Sequence, residues 1–100
     1  MREKISEDLK ILIPNFIKNR MEDAENLLLL LKNKDYQEAS KISHSLKGVL
    51  GSYGFKNGYL MTSEIDKKIK NSDFERLLEE AQDFQKYMSN VEIEYVDEEL

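Results

Sequence analysis

The chain of 100 residues has no cysteine, no tryptophan, one histidine, one proline and four glycines. Without cysteine there is neither a disulfide framework nor a thiolate metal site, and one histidine excludes every zinc site that needs two. The absence of disulfides permits a reducing compartment. A basic excess is also missing: 20 acidic against 15 basic side chains leave a net charge of −5. Duplex nucleic acid or an anionic membrane calls for the opposite balance or a concentrated basic patch. The densest basic stretch, Lys67, Lys68 and Lys70, is short and falls on a helical pattern. No apolar run approaches the roughly 18 residues of a membrane span; the longest is the leucine run at 27–31. The charged start, Met1-Arg2-Glu3-Lys4, is not followed by the apolar stretch of a signal peptide. The expectation is one cytoplasmic domain over 1–100, ordered over about 5–96, with a frayed tail at Asp97-Glu98-Glu99-Leu100. It should bind neither nucleic acid nor membrane.

What is present favours helix. Leucine, glutamate and lysine dominate, while valine, threonine, glycine and proline are scarce. No segment alternates apolar and polar residues for long enough to predict a half-buried strand. Instead the apolar positions recur at steps of three and four, beginning Ile5, Leu9, Leu12, Ile13, Phe16, Ile17, Met21, Ala24, Leu28, Leu31. Pro14 divides this stripe into a short helix over 6–12 and a long one over 14–32, with the proline in the first turn of the second. After a break at Asn33-Lys34, Asp35 with Glu38 can cap a helix carrying Ala39, Ile42, Leu46, Val49, Leu50 and Tyr53, ended by Gly51-Ser52-Tyr53-Gly54. The next helix carries Phe55, Met61, Ile65 and Ile69 and stops near Asn71, a residue tolerant of left-handed backbone. Ser72 with Glu75 offers another capping box, before a stripe of Phe74, Leu77, Leu78, Ala81, Phe84, Met88, Val91 and Tyr95. Most of the leucine run at 27–31 is assigned to the core, although Leu29 and Leu30 lie off the stripe. The predicted fold is all-α: an up-down-up-down four-helix bundle with a short additional N-terminal helix.

A bundle is a scaffold, so function has to be read from a site. The one histidine, His44, lies inside the predicted 35–53 helix. At about 100° per residue it falls about 170° from the centre of the apolar stripe, on the face away from the core. Ser40, Gly48 and Gly51 share that face. Glycine inside a helix costs about 1 kcal/mol relative to alanine, and what it provides here is bare backbone beside the imidazole. Lys47 can bring its ammonium beside the ring, a setting suited to a histidine that carries an anionic group. The other patterns carry less. Gly48-x-x-Gly51-x-x-Gly54 is neither a dinucleotide fingerprint nor a P-loop. Ser43 and Ser45 point about 100° to either side of His44, which disfavours a Ser-His-Asp triad. Glu79-Glu80 and Glu98-Glu99 read as solvated faces.

The stretch from Ala39 to Phe55, with His44-Ser45-Leu46-Lys47-Gly48 at its centre and the turn Gly51-Ser52-Tyr53-Gly54-Phe55 at its end, resembles the signature of histidine-containing phosphotransfer (HPt) domains. The close likeness covers about a third of the chain, and helix number and the Asn33-Lys34-Asp35-Tyr36 turn agree with it. Val49 and Leu50, where many members have small residues, and Gly58, where an apolar residue is usual, depart from the pattern and read as packing variations. The resemblance implies a four-helix bundle whose exposed histidine, by analogy at Nε2, takes a phosphoryl group from a receiver-domain aspartate and passes it on. It implies His44 as phosphoacceptor, Lys47 as the charge that neutralises phosphoryl oxygens, and Ser40, Lys41, Gly48 and Gly51 as the surface meeting the partner. The partners would be receiver domains of response regulators or hybrid histidine kinases, and Mg²⁺ would sit in the receiver, with no cofactor in this chain. A monomer without ATP-dependent kinase activity of its own is expected. The phosphoacceptor domain of a chemotaxis-type histidine kinase has nearly the same motif and remains an alternative, as does a binding-only helical adaptor. The dimerisation domain of a sensor kinase fits less well, because Ser45 stands where an acidic residue usually follows the histidine. Met1 and the acidic end suggest a whole small protein.

Overall fold

The computed structural model describes residues 1–97; Glu98, Glu99 and Leu100 of the expected frayed tail lie outside the described residues. Strand β1 (Arg2–Ser6) leads through a single 3-10 turn (Glu7–Leu9) into α1 (Ile13–Lys32), α2 (Tyr36–Tyr53), α3 (Lys56–Lys70) and α4 (Leu77–Asn90), and strand β2 (Glu92–Val96) follows. The chain is thus mostly helical, with four α-helices and a short two-stranded sheet among the described residues. None of these helices is long and apolar enough to cross a membrane.

Local chemistry sets the helix ends. Pro14 lies in the first turn of α1, where its missing N–H leaves no carbonyl unserved. Asp35 caps α2 by accepting from the Glu38 N–H at 3.3 Å. At the other end Gly54 adopts φ 85°, a left-handed conformation that glycine takes without Cβ strain. This lets the Phe55 N–H reach back to the Leu50 carbonyl at 2.9 Å. Among the main helix pairings α1 packs on α2 and α4, and α3 packs on the same two. Their shared core holds Phe16, Leu27, Leu46, Leu50, Phe55, Ile65, Phe84 and Met88, all buried. Each such side chain contributes about 1.5–3 kcal/mol relative to exposure. Gly58 is demanded by packing, since a Cβ there would stand 3.0 Å from the Tyr87 ring and 3.3 Å from Leu50 Cδ1.

Several predicted elements need correction. The short helix over 6–12 is not formed: residues 2–6 are a strand and only Glu7–Leu9 make a turn of 3-10 helix. The last helix ends at Asn90, and Val91 turns extended into β2. β1 and β2 pair in parallel, with Arg2 opposite Glu92 and Ser6 opposite Val96, so segments 2–6 and 92–96 lie side by side. Ser72, not Asn71, takes the left-handed conformation, and α4 starts after Arg76 without a side-chain cap. In the leucine run, Leu27, Leu28 and Leu31 are buried but Leu29 is half exposed. Phe74 and Leu78 are also partly exposed, with Phe74 stacked on Tyr36 at 3.9 Å between ring centroids.

The reason for the N-terminal strand lies in Glu3. Its side chain is buried, and Oε2 accepts from the Asn57 N–H at 2.9 Å, the Gly58 N–H at 3.4 Å and the Tyr87 hydroxyl at 2.5 Å. Two of these donors are free N–H groups in the first turn of α3, where a carboxylate also faces the positive end of the helix dipole. Burial, then the hydrogen bond and charge of Glu3, push the Tyr87 phenol well above its ordinary value. An extended segment lets Glu3 and Ile5 point inward together, which a helix over the same residues would not. Glu3→Ala should therefore lower unfolding free energy in urea by about 2–3 kcal/mol, because it leaves buried donors without an acceptor. Glu3→Gln, which keeps an acceptor but loses the charge, should cost roughly half as much. Equal stability of all three proteins would mean that the ribbon is not held by this carboxylate.

Candidate functional site

α2 and α3 form a helical hairpin about the Gly54-Phe55 turn. The contacts across it keep step in opposite directions: Gly58 approaches Leu50, Gly51 approaches Tyr59 and Ser43 meets Asp66. A residue midway along α2 is thus level with one in the second half of α3. That register brings His44 to Asp66, each about 15 Å from the turn along its helix.

The His44 side chain is 67 % exposed, and its Nδ1 stands 3.8 Å from Asp66 Oδ2. The Lys47 ammonium lies 3.7 Å from the same Oδ2, and the Lys70 ammonium donates to it at 2.9 Å. The other oxygen, Oδ1, accepts from the Ser43 hydroxyl at 3.2 Å. Ser43 is itself fully buried and lies 3.1 Å from the Ser40 carbonyl. A hydroxyl has one proton, so it is shared between these two acceptors. Burial of Asp66 opposes its charge. The hydrogen bond and charge of Lys70, the Ser43 hydroxyl and the charge of Lys47 outweigh that penalty and hold its carboxyl below the ordinary 3.8.

No family model, curated protein or solved structure matches the chain.

Of the residues singled out in the sequence, His44 and Lys47 both approach Asp66 on α3, and Gly48 is exposed one turn along α2 from His44. A Cβ built on Gly48 would meet nothing within 4 Å, so its own fold does not require glycine there. Gly51 is different, because a Cβ there would come within 3.0 Å of the Tyr59 ring. Ser40 is half-buried and serves Ser43 through its carbonyl. Lys41 is exposed and paired with Glu38 at 3.1 Å.

One expectation is corrected. His44 does not lie opposite the buried face of α2, because that face runs Ala39, Ser43, Leu46, Leu50 and is centred nearer Ser43 than the apolar pattern implied. His44 instead occupies the flank next to α3 and is exposed there. Two neighbours went unrecognised in the sequence, Asp66 and Lys70. The available signal was Asp66 at the inward spacing Thr62, Ile65, Asp66, Ile69, all of which are buried, with Lys70 one turn on.

A lowered Asp66 pKa fixes the sign of a pH effect. The group's contribution to stability is complete above 3.8, its ordinary value, and is lost as the pH falls through the lowered folded value. The stability advantage of wild type over Asp66→Asn in urea should be present at pH 7 and narrow as the pH drops below 3.8. An advantage that does not change with pH would mean that the ionised carboxylate does not stabilise the fold.

Proposed function

We propose that this chain is a histidine phosphotransfer domain of a two-component phosphorelay, as the resemblance of His44-Ser45-Leu46-Lys47-Gly48 implies. His44 receives a phosphoryl group from an aspartyl phosphate on a receiver domain. The Nε2 lone pair forms the N–P bond, the P–O bond to the receiver aspartate breaks, and the carboxylate leaves with the electron pair. Transfer onward to a second receiver is the reverse step. Such transfer depends mainly on positioning and charge neutralisation. Lys47 neutralises phosphoryl oxygens, while Ser40, Lys41, Gly48 and Gly51 meet the partner. The Mg²⁺ belongs to the receiver's acidic pocket. The reading includes an up-down-up-down arrangement of the four helices, a monomer, a cytoplasmic location and no ATP-dependent kinase activity.

The observation that carries this reading is Gly48. A helical glycine with open space beside it weakens α2 and meets no packing demand. It lies one turn from an exposed imidazole, where any side chain would stand between that ring and an approaching protein. A binding-only adaptor gives no reason for the coincidence of bare backbone, imidazole and ammonium on one edge.

Incubation with phosphorylated receivers and Mg²⁺ should label the chain with acid-labile, base-stable phosphate. His44→Gln should abolish the label and leave the helical circular dichroism unchanged. Equal labelling of the two proteins would remove His44 from the assignment. Gly48→Gln should raise thermal stability, by up to about 1 kcal/mol, while slowing transfer from the receiver. If this variant transferred as fast as wild type, the bare patch would not be a docking surface.

A further inference from the structure

Asn57-Gly58 is the only asparagine–glycine pair in the chain. Such a pair is prone to cyclise, because glycine has no side chain to hinder its own backbone nitrogen as it attacks the asparagine amide. Here the glycine cannot be exchanged for a safer residue. A Cβ on Gly58 would stand 3.0 Å from the Tyr87 ring, 3.1 Å from its hydroxyl and 3.3 Å from Leu50 Cδ1. Packing of α4 and α2 on α3 thus imposes the labile pair, and its survival depends on its surroundings.

The fold opposes the reaction in two ways. The pair lies in the first turn of α3, and the cyclic imide does not form while the Asn57 backbone stays helical. Gly58 is buried, and its N–H donates to Glu3 Oε2 at 3.4 Å. The attacking species is the nitrogen stripped of that proton, and its negative charge would face the Glu3 carboxylate. Glu3 also accepts from the Asn57 N–H at 2.9 Å, so it fastens a helix turn whose N–H groups have no partner within the helix. Both protections therefore weaken together when β1 leaves.

We propose that Asn57-Gly58 is a modification site guarded by the terminal ribbon: release of β1 opens it to deamidation, and the product keeps the ribbon from closing again. The proposal does not depend on phosphotransfer at His44. In the open form a base takes the Gly58 amide proton and the nitrogen bonds to Asn57 Cγ. The bond from Cγ to the side-chain nitrogen breaks and ammonia leaves. Water then opens the imide at either carbonyl, giving aspartate or isoaspartate. Either product puts a new carboxylate near the socket to which the Glu3 carboxylate must return, and like charges oppose that return. Isoaspartate also lengthens the backbone in the first turn of α3. Opening of the ribbon is thereby recorded covalently.

The test follows wild type, Glu3→Gln and Glu3→Ala in mildly alkaline buffer, each checked for helical circular dichroism. Peptide mapping by mass spectrometry reads deamidation at every asparagine. Because the reaction passes through the open form, its rate tracks the open population. Conversion at Asn57 should be roughly tenfold faster or more in Glu3→Ala than in wild type, and intermediate in Glu3→Gln. Asn71-Ser72, at the other end of α3, should convert at one rate in all three proteins. Equal Asn57 rates in the three proteins, or a wild-type rate matching the chain unfolded in urea, would overturn the proposal. An equal rise at Asn57 and Asn71 would assign the effect to global unfolding and overturn it as well. Converted wild type, separated by anion exchange, should show faster hydrogen exchange at the ribbon amides than unconverted protein. Unchanged protection there would overturn the one-way step.

Discussion

A carboxylate taken out of water between two helices must be neutralised, and here the neutralising groups come from the side that solvent reaches. Asp66 sits inside the α2–α3 interface, with Ser43 behind it and Lys70, Lys47 and His44 in front. An isolated buried charge would cost several kcal/mol, so the fold keeps Asp66 ionised by holding the Lys70 and Lys47 ammonium groups and the Ser43 hydroxyl nearby. The same requirement that stabilises the interface thus gathers positive charge around the one imidazole. Core packing and site chemistry share a residue, and the α2–α3 register couples them.

The four glycines divide along the line between fold and proposed function. Gly54 supplies the left-handed cap of α2, Gly58 admits the Tyr87 ring, and Gly51 lies against Tyr59. Each has an internal reason. Gly48 has none, since the space beside it is empty. On the proposed reading the missing reason is a partner, and the stability given up there is the cost of letting a receiver reach His44. At the far end of the hairpin the terminal ribbon does different work. Glu3 joins β1 to the start of α3 and to Tyr87 on α4, so the start of the chain is fastened to two helices at once.

Helices with long apolar stripes were legible in the sequence, because period and capping residues are local signals. Asp35 and Gly54 mark the two ends of α2 as expected. The strands were not legible. Glu3 is a charged residue at an inward position, which hides the alternation in Arg2–Ser6. Val91 and Tyr95, four residues apart, also fit the tail of a helical stripe, and the partner strand is at the opposite end of the chain. At the site, His44, Lys47 and Gly48 were legible because they share one helix. Asp66 was not, because its significance depends on a tertiary register that no local spacing encodes. The buried face of α2 was misjudged for a related reason: Ser43 is polar, and only its partner on α3 makes burial acceptable.

The most direct measurement of the central claim is the position of the phosphoryl group. Heteronuclear ³¹P–¹⁵N NMR at alkaline pH on the chain labelled by a phosphorylated receiver identifies the atom bonded to phosphorus. The account predicts one phosphoryl group on Nε2 of His44, which disappears when an unphosphorylated receiver is added. Phosphate on a hydroxyl or a carboxylate, or a phosphohistidine that no receiver can discharge, would contradict it.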